Sequence, residues 1–548
     1  MSEGQVVPVR SDPLGADRVP GVGVEWLDAA PQFRDAVPTD VAGFVGIAER
    51  GPLHQAVRVD NWDQFRGVFG TRLPHAYLAY AVEGFFANGG RRCWVVRVAD
   101  PVAAGPAWDR VRVGVTSRCL RLGASSPGEW GNQVRYRVEP EAGGLFGLRL
   151  RRGDVVEAWH GLSDGSTAGD RDAVAVLNDP VKGSRLVAAS WWEEDRPADG
   201  GPRTRDGRLS RGDDGLRRLR PEHFADDERG WGVEALDGVD DVSLVSVPDC
   251  WSPSSTRWRR PRRRCPHRGP DDPKAAGPVR AEFGWRTAAW VQRQVVRHCA
   301  ERQDRVALLD APRFDERGKP ADRAAVLAWR AGFRSPFAAL YHPWIVAPDG
   351  TAGGGTVVPP SGHVAGVCAA GDSAVGVHKA PAGEVLKLAV DTAAEVDDVT
   401  HGELNHNGVN VLRANRGVRV LGNRTLAPAD SPLRRLNVRR LMSALEEQIR
   451  RGTAWLVFEK ASLSVCGDVE RVVHGVLEDA WRSGRLAGPT PEAAYSVRCD
   501  HTVNPPVELA RGKITCLVAV LPPQSAERLV LRLVRSPAGV LTEKQPGG

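Results

Sequence analysis

Val242-Ser-Leu-Val-Ser-Val-Pro248 is a short apolar run closed by a proline, the pattern of a strand buried on both faces. Downstream, the spacing predicts a helix over Ala288 to Glu301, a strand over Val306-Ala-Leu-Leu-Asp310, a helix over Arg323 to Gly332 and a strand at Ala338-Ala-Leu-Tyr341. Upstream, Val41-Ala-Gly-Phe-Val-Gly-Ile-Ala48 reads as a second buried strand. Trp62, Phe65, Val68 and Phe69 then share one helical face, and Tyr77, Ala81 and Phe85 share another after Pro74. Gly89-Gly90 stops that helix, and Cys93-Trp-Val-Val-Arg-Val98 returns as a strand. Apolar strands alternating with helices imply an α/β layer, and the two stretches are expected to share it.

Between them, from about Asp100 to Arg220, short alternating segments such as Gln133-Val-Arg-Tyr-Arg-Val138 and Phe146-Gly-Leu-Arg-Leu150 read as a β-rich insertion. Asp195 to Asp227, dense in Arg, Asp and Gly, reads as loop or linker. Beyond a Gly-rich linker at Asp349 to Thr356 comes a second α/β region. One of its helices carries the stripe Val438, Leu441, Leu445 and Ile449; another carries Val469, Val472, Val473, Val476, Leu477, Ala480 and Trp481. Ile514-Thr-Cys-Leu-Val-Ala-Val520 is a late strand, and Pro522-Pro523 sets it off from the C-terminal segment. At each end stands a further β-capable segment, Val19-Pro-Gly-Val-Gly-Val-Glu-Trp26 and Arg528-Leu-Val-Leu-Arg-Leu-Val534. The N–H and C=O groups of such a strand must pair, either in the chain's own sheet or in a neighbour's.

With 548 residues, 42% of them hydrophobic, the chain has material for several domains with separate cores. Its 74 basic and 68 acidic side chains leave a net charge of +6, too little to single out a polyanion as the main partner. Nine cysteines, odd in number and never in a Cys-x-x-Cys pair, read as reduced core thiols, not a disulfide framework. No apolar run approaches the roughly 20 residues of a membrane span and the start has no signal-peptide pattern, so synthesis in the cytoplasm is expected.

The chemistry-bearing motifs are weak. No phosphate-binding Gly-x4-Gly-Lys-Ser/Thr occurs, and Gly21-Val-Gly23 and Gly353-Gly354-Gly355 read as flexible backbone. Gly161-Leu-Ser-Asp-Gly165 spells a nucleophile motif, but the sequence after it is loop, so Ser163 reads as a polar turn residue. Cys250, Cys265 and His267, with His298 as a distant fourth, fit no short zinc knuckle. Arg257-Trp-Arg-Arg-Pro-Arg-Arg-Arg264 has stacking and phosphate-neutralising residue types, but Asp271-Asp272 comes soon after and a solvated loop is the ordinary reading. Asp397-Asp398 and Glu446-Glu447 are adjacent carboxylates, not a pair held across a cleft. The latter share a helix with Arg439, Arg440, Arg450 and Arg451, expected to be an exposed, ion-paired face able to dock a partner.

Taken in order, several segments resemble the contractile tail sheath family of myophage tails and bacterial contractile injection systems. They include Pro20-Gly-Val-Gly-Val-Glu25, Phe44-Val-Gly-Ile-Ala-Glu-Arg-Gly-Pro52, Tyr77-Leu-Ala-Tyr-Ala-Val-Glu-Gly-Phe-Phe-Ala-Asn-Gly-Gly-Arg-Arg-Cys93 and Val239-Asp-Asp-Val-Ser-Leu-Val-Ser-Val-Pro-Asp249. The series continues through Ala338-Ala-Leu-Tyr-His-Pro-Trp344, Val358-Pro-Pro-Ser-Gly-His-Val-Ala-Gly366, Asn437-Val-Arg-Arg-Leu441 and Val497-Arg-Cys-Asp500.

The resemblance implies a non-enzymatic, multidomain α/β (α+β mixed) sheath architecture without cofactor or metal. Its parts would be an N-terminal arm over 1–36 and a discontinuous α/β domain over 37–100 and 236–348, interrupted by a β-rich outer insertion with linker over 101–235. A C-terminal α/β domain over 357–522 would face an inner tube, with an arm over 523–548 beyond it. It further implies partners: other copies in rings or a helix, a tube protein, and baseplate and cap proteins, with no nucleic acid and no membrane insertion. The arms, through Val22, Val24 and Trp26 and through Leu529, Leu531 and Leu533, would add strands to neighbours. Arg439, Arg440, Glu446, Glu447 and Arg450 would face the tube. Contraction would drive the tube forward without a nucleotide; the alternative is a non-contractile adaptor or cap on the same fold. Gly23 departs from the larger β-former expected in the first arm and weakens that strand.

Overall fold

Leu244–Ser246, at the heart of the apolar run 242–248, lies fourth in an eight-stranded sheet. The order is Ala56–Val59, Cys93–Arg97, Ala42–Gly46, Leu244–Ser246, Val306–Asp310, Ala338–His342, Val409–Ala414 and Val418–Val420. From Cys93–Arg97 to Val409–Ala414 every neighbouring pair is parallel, and each outermost strand is antiparallel to the one beside it. Ala42 stands opposite both Cys93 and Leu244, so the stretches 41–98 and 242–341 do form one layer.

This is a computed structural model that describes residues 37–74, 76–113, 118–164, 171–193, 203–251, 284–348, 355–523 and 529–535. The chain divides into Met1–Asp35 and Ala36–Gly548. The first unit lies outside the described residues, and so do the arm residues Val22, Val24 and Trp26, the basic run Arg257 to Arg264, Cys265 and His267.

The sheet is sealed by helices whose apolar faces the spacing predicts, among them Trp62–Phe69, Leu78–Ala87, Trp285–Arg302 and Arg323–Ala331. Leu78–Ala87 and Ser361–Ala374 meet at glycines: a Cβ on Gly362 would lie 2.4 Å from the Ala81 Cα, and one on Gly366 would lie 2.4 Å from the Phe85 carbonyl oxygen. Ser361–Ala374 and the strands Val409–Ala414 and Val418–Val420 therefore belong to the central layer, which corrects a domain boundary at 357. Leu340 pairs with Val409, and a strand takes its place by backbone pairing, whatever linker precedes it.

Residues 107–209 enclose a core of their own, with Leu120, Leu122, Trp130, Val134, Phe146, Leu148 and Leu150 inside. One sheet orders Arg205–Arg208, Arg135–Pro140, Phe146–Arg152 and Val155–Leu162; the other orders Trp108–Arg112, Arg118–Ala124 and Val187–Glu193. Burial alternates along Arg135–Pro140, as in a strand with one dry and one wet face. A third core joins the helices Leu436–Gly452 and Leu463–Arg482 to an antiparallel sheet of Tyr495–Arg498, Ile514–Val520 and Leu529–Arg535. The stripe Val438, Leu441, Leu445 and Ile449 is fully buried there.

Candidate functional site

The catalytic candidates resolve into structural roles. The Ser163 N–H donates to the Arg171 carbonyl (2.8 Å) and the Ser163 carbonyl accepts from Ala173, so the residue is pinned in a turn at the end of Val155–Leu162. Asp397 caps the helix Asp398–His406 by accepting from the Thr400 N–H (2.7 Å), and Asp398 pairs with Arg413. The described cysteines are buried, and burial pushes the Cys368 thiol up to about 11, away from nucleophilic use.

His298 does not turn toward the cysteine: Cys250 contacts Gln292, while His298 Nδ1 lies 2.8 Å from Glu234 Oε2, with Arg305 Nη1 3.4 Å from its Nε2. Glu234, Asp237 and His298 bring ligand-type atoms within 4.8 Å of one another, the closest approach to a metal trio among the described residues. Arg305, fully buried beside the ring, and Arg297, 3.9 Å from Glu234 Oε1, already supply cations there, and the trio reads as an internal ion-pair network.

Two further carboxyls escaped the sequence reading. Asp249 accepts from the backbone N–H groups of Ile47 (2.7 Å), Tyr77 (2.5 Å) and Leu78 (3.2 Å), capping the helix Leu78–Ala87 from another strand end. Asp310 accepts from the Ser361 N–H (2.9 Å) and hydroxyl (2.7 Å) at the start of Ser361–Ala374. Burial pushes both up to about 7, with the donated hydrogen bonds opposing it. Each is a carboxyl at a helix N-terminus. Asp249 comes directly after Pro248, which suggests a strand end, but its partner Tyr77 is 172 residues away in sequence.

The helix Leu436–Gly452 departs most from expectation. Arg439, Arg440 and Glu447 are at most 7% exposed, so the helix is not an exposed charged face. Arg439 sits over the Phe337 ring, 4.6 Å from its centroid, and pairs with Glu446 at 2.9 Å. Glu447 is held by Arg450 and Arg451, and of the five candidates Arg450 alone is largely exposed. The reason is position. The helix is wedged between two cores, with Ser443 donating to the Gln303 carbonyl (2.6 Å) and Arg451 to the Asp240 carbonyl (3.2 Å). Arg439, Arg440 and Glu447 as tube-facing groups are therefore corrected to internal groups.

Arg440 has a more specific place. Its guanidinium pairs with Asp372 and donates to the Thr39 carbonyl (2.8 Å), while Ser373 donates to Asp40 (3.1 Å) and Ser243 donates to Thr39. The root of the N-terminal segment is thus clamped by two helices and a strand start. Burial pushes the Asp372 carboxyl up, and Arg440 opposes that shift.

At the other end, Leu529–Arg535 pairs antiparallel with Ile514–Val520 along its whole length, from Val520 opposite Leu529 to Ile514 opposite Arg535. Here the strand expected to reach a neighbour completes a sheet of its own chain. Among the described residues that strand and Tyr495–Arg498 each leave one edge unpaired. An unpaired edge is a template for another strand.

Residues 286–426 match the family model described as the phage tail sheath protein central domain. The tail sheath protein of Enterobacteria phage T4 is 26% identical over 274 residues, which cover 46% of this chain and 40% of that protein's length. A sheath tail protein of Listeria innocua superposes with a TM-score of 0.59 at 13% identity, covering 91% of this chain and 96% of the other. The helical sheath of the anti-feeding prophage in its contracted state gives a TM-score of 0.51 at 21% identity, covering 93% and 97%. At these identities the two structures speak for the fold. Among the described residues no helix is long and apolar enough to cross a membrane.

Proposed function

We propose that this chain, whose residues 286–426 match the phage tail sheath central domain, is the subunit of a contractile sheath that polymerises around an inner tube. The family is structural and not enzymatic. The observation that carries the proposal is the C-terminal three-stranded sheet, both of whose edges are open among the described residues, with one strand following the Pro522-Pro523 connection. Every copy carries the same acceptor strand Ile514–Val520 and the same donor Leu529–Arg535, so the donor can exchange between neighbours without changing its register. Each ladder bond contributes about 1 kcal/mol, enough in sum to hold copies together while their bodies rotate.

The clamped root at Thr39 supports the same reading, since an N-terminal arm pulls usefully only from a fixed anchor. A body locked by the buried pairs of Leu436–Gly452 moves as one piece, and contraction becomes a change of packing between bodies, with arms as joints. A metastable assembly of this kind needs no catalytic cycle. The partners are other copies, a tube protein, and baseplate and cap proteins, within a phage tail or tail-like particle assembled in the producing cell.

Electron microscopy of the purified full-length chain with a tube protein tests the proposal. Tubes or stacked rings are expected. Persistent monomers would overturn it in favour of an adaptor or cap.

A further inference from the structure

The sheets of residues 107–209 carry a surface lined with arginine and tryptophan. On the side of the sheet Trp108–Arg112, Arg118–Ala124 and Val187–Glu193 away from its core, aromatic and guanidinium groups stack in alternation. Arg110 lies 5.3 Å from the Trp108 ring centroid and 3.9 Å from that of Trp192; Arg121 and Arg211 lie 5.2 and 5.0 Å from Trp108. Arg211 reaches it from a left-handed backbone conformation, φ 66°, uncommon for a side-chain-bearing residue. Next to it, Ser210 and Trp108 exchange backbone hydrogen bonds of 2.9 and 3.3 Å.

Two features make this an unfinished surface. Arg110 and Arg121 stand directly opposite each other across paired strands, an arrangement of like charges that costs stability. Neither they nor Arg211 has a carboxylate partner among the described residues, and the nearby Asp109 carboxylate is occupied by the Tyr136 hydroxyl at 2.7 Å. Stacking on indole holds each guanidinium plane while leaving N–H edges for an anion. Beside them Gly123, Ala188 and Ser190 occupy the same side of the sheet; a Cβ on Gly123 would meet nothing nearer than the Ala188 carbonyl oxygen at 3.7 Å. Small residues there leave room along the arginines.

We propose that this face binds an acidic polysaccharide, its uronate carboxylates bridging Arg110, Arg121 and Arg211 and a pyranose ring resting on Trp192. Charge complementarity calls for an anion. The aromatic arrangement favours sugar over nucleic acid, because three guanidiniums crowd Trp108 and leave no pair of open rings to take successive bases. Trp192, 40% exposed at the end of the ladder even with Arg110 stacked on it, offers a single apolar platform with polar surroundings.

The test is retention of the full-length chain on immobilised polygalacturonate at low salt, with neutral dextran and single-stranded poly(dT) as comparisons. Binding to polygalacturonate but not dextran is expected, with Kd rising about tenfold or more in the Arg110→Gln/Arg121→Gln variant, the size of a lost charge-assisted bond. Trp192→Ala should weaken binding as well, whereas Arg471→Gln, on the helix Leu463–Arg482 that packs in a separate core, should not. Circular dichroism confirms that each variant is folded. Absence of binding, binding indifferent to Arg110 and Arg121, or tighter binding of poly(dT) through the same arginines overturns the proposal.

Discussion

Arg440 Nη1 stands 3.1 Å from Asp372 Oδ1, both side chains at most 3% exposed, and the same guanidinium reaches the carbonyl of Thr39 at 2.8 Å. One cation thereby ties together the helices Ser361–Ala374 and Leu436–Gly452 and the segment around Thr39.

Breaking that pair on one side strands the other charge in the interior. Asp372→Ala is expected to cost about 3–5 kcal/mol in chemical denaturation, because Arg440 keeps its charge without its partner. Replacing both, as Arg440→Met with Asp372→Leu, should recover much of the loss. The double variant should still cleave faster at residues near 36–41 under limited proteolysis, since Thr39 has lost its donor. If both variants unfold with wild-type midpoints, the clamp contributes nothing.

Charge reversal separates burial from docking on the same helix. Arg439→Glu places a carboxylate against Phe337 and Glu446 and should unfold the chain or lower its melting temperature markedly. Arg450→Glu, with a side chain 57% exposed, should leave the melting temperature nearly unchanged and alter co-assembly with a tube protein. Equal thermal stability of the two variants would contradict the burial pattern.

Asp310 gives a pH signature. Its pKa rises from the ordinary 3.8 to about 7 in the folded chain, so between those values the folded state holds a proton that the unfolded state has released. The stabilisation is complete at or below about pH 4 and is lost as pH rises to about 7, at up to about 1.4 kcal/mol per pH unit. Asp310→Asn keeps an oxygen for the Ser361 N–H and an amide for its hydroxyl, and removes the titration. Unfolding free energies from pH 4.5 to 7.5 should show the stability advantage of wild type over variant shrinking with pH. A constant difference would mean that Asp310 does not titrate in that window.

Leu531 lies opposite Val518 in the terminal hairpin, and proline there removes an N–H and stiffens the strand. Leu531→Pro, or deletion of residues 526–548, should abolish tubes and rings in electron micrographs while circular dichroism reports a folded subunit. The central sheet pairs without this strand. Polymers formed normally by the truncated chain would remove the C-terminal arm from assembly.

Apolar runs and helical spacing were enough to locate the parts. Ile514 to Val520 is a strand with the bounds the sequence suggests, and the stripe Val438, Leu441, Leu445 and Ile449 is buried as spaced. Charge, by contrast, was a poor guide to exposure. Periodicity shows which face of Leu436–Gly452 is apolar, but not whether the opposite face meets water or another layer of protein. Arg440 became an internal anchor through Asp372, 68 residues away, and Thr39, 401 residues away.

The chain's own sequence determined its strands, helices, apolar faces and C-terminal β-segment, because these depend on the local spacing of side chains. The tertiary structure decided which strands share a sheet, which carboxyls cap distant helices, that Leu529–Arg535 closes on Ile514–Val520, and that four basic and aromatic residues, Trp108, Arg110, Arg121 and Trp192, form one surface. Each of those depends on pairing between residues far apart in sequence, where burial and hydrogen bonding, not local pattern, select the partner.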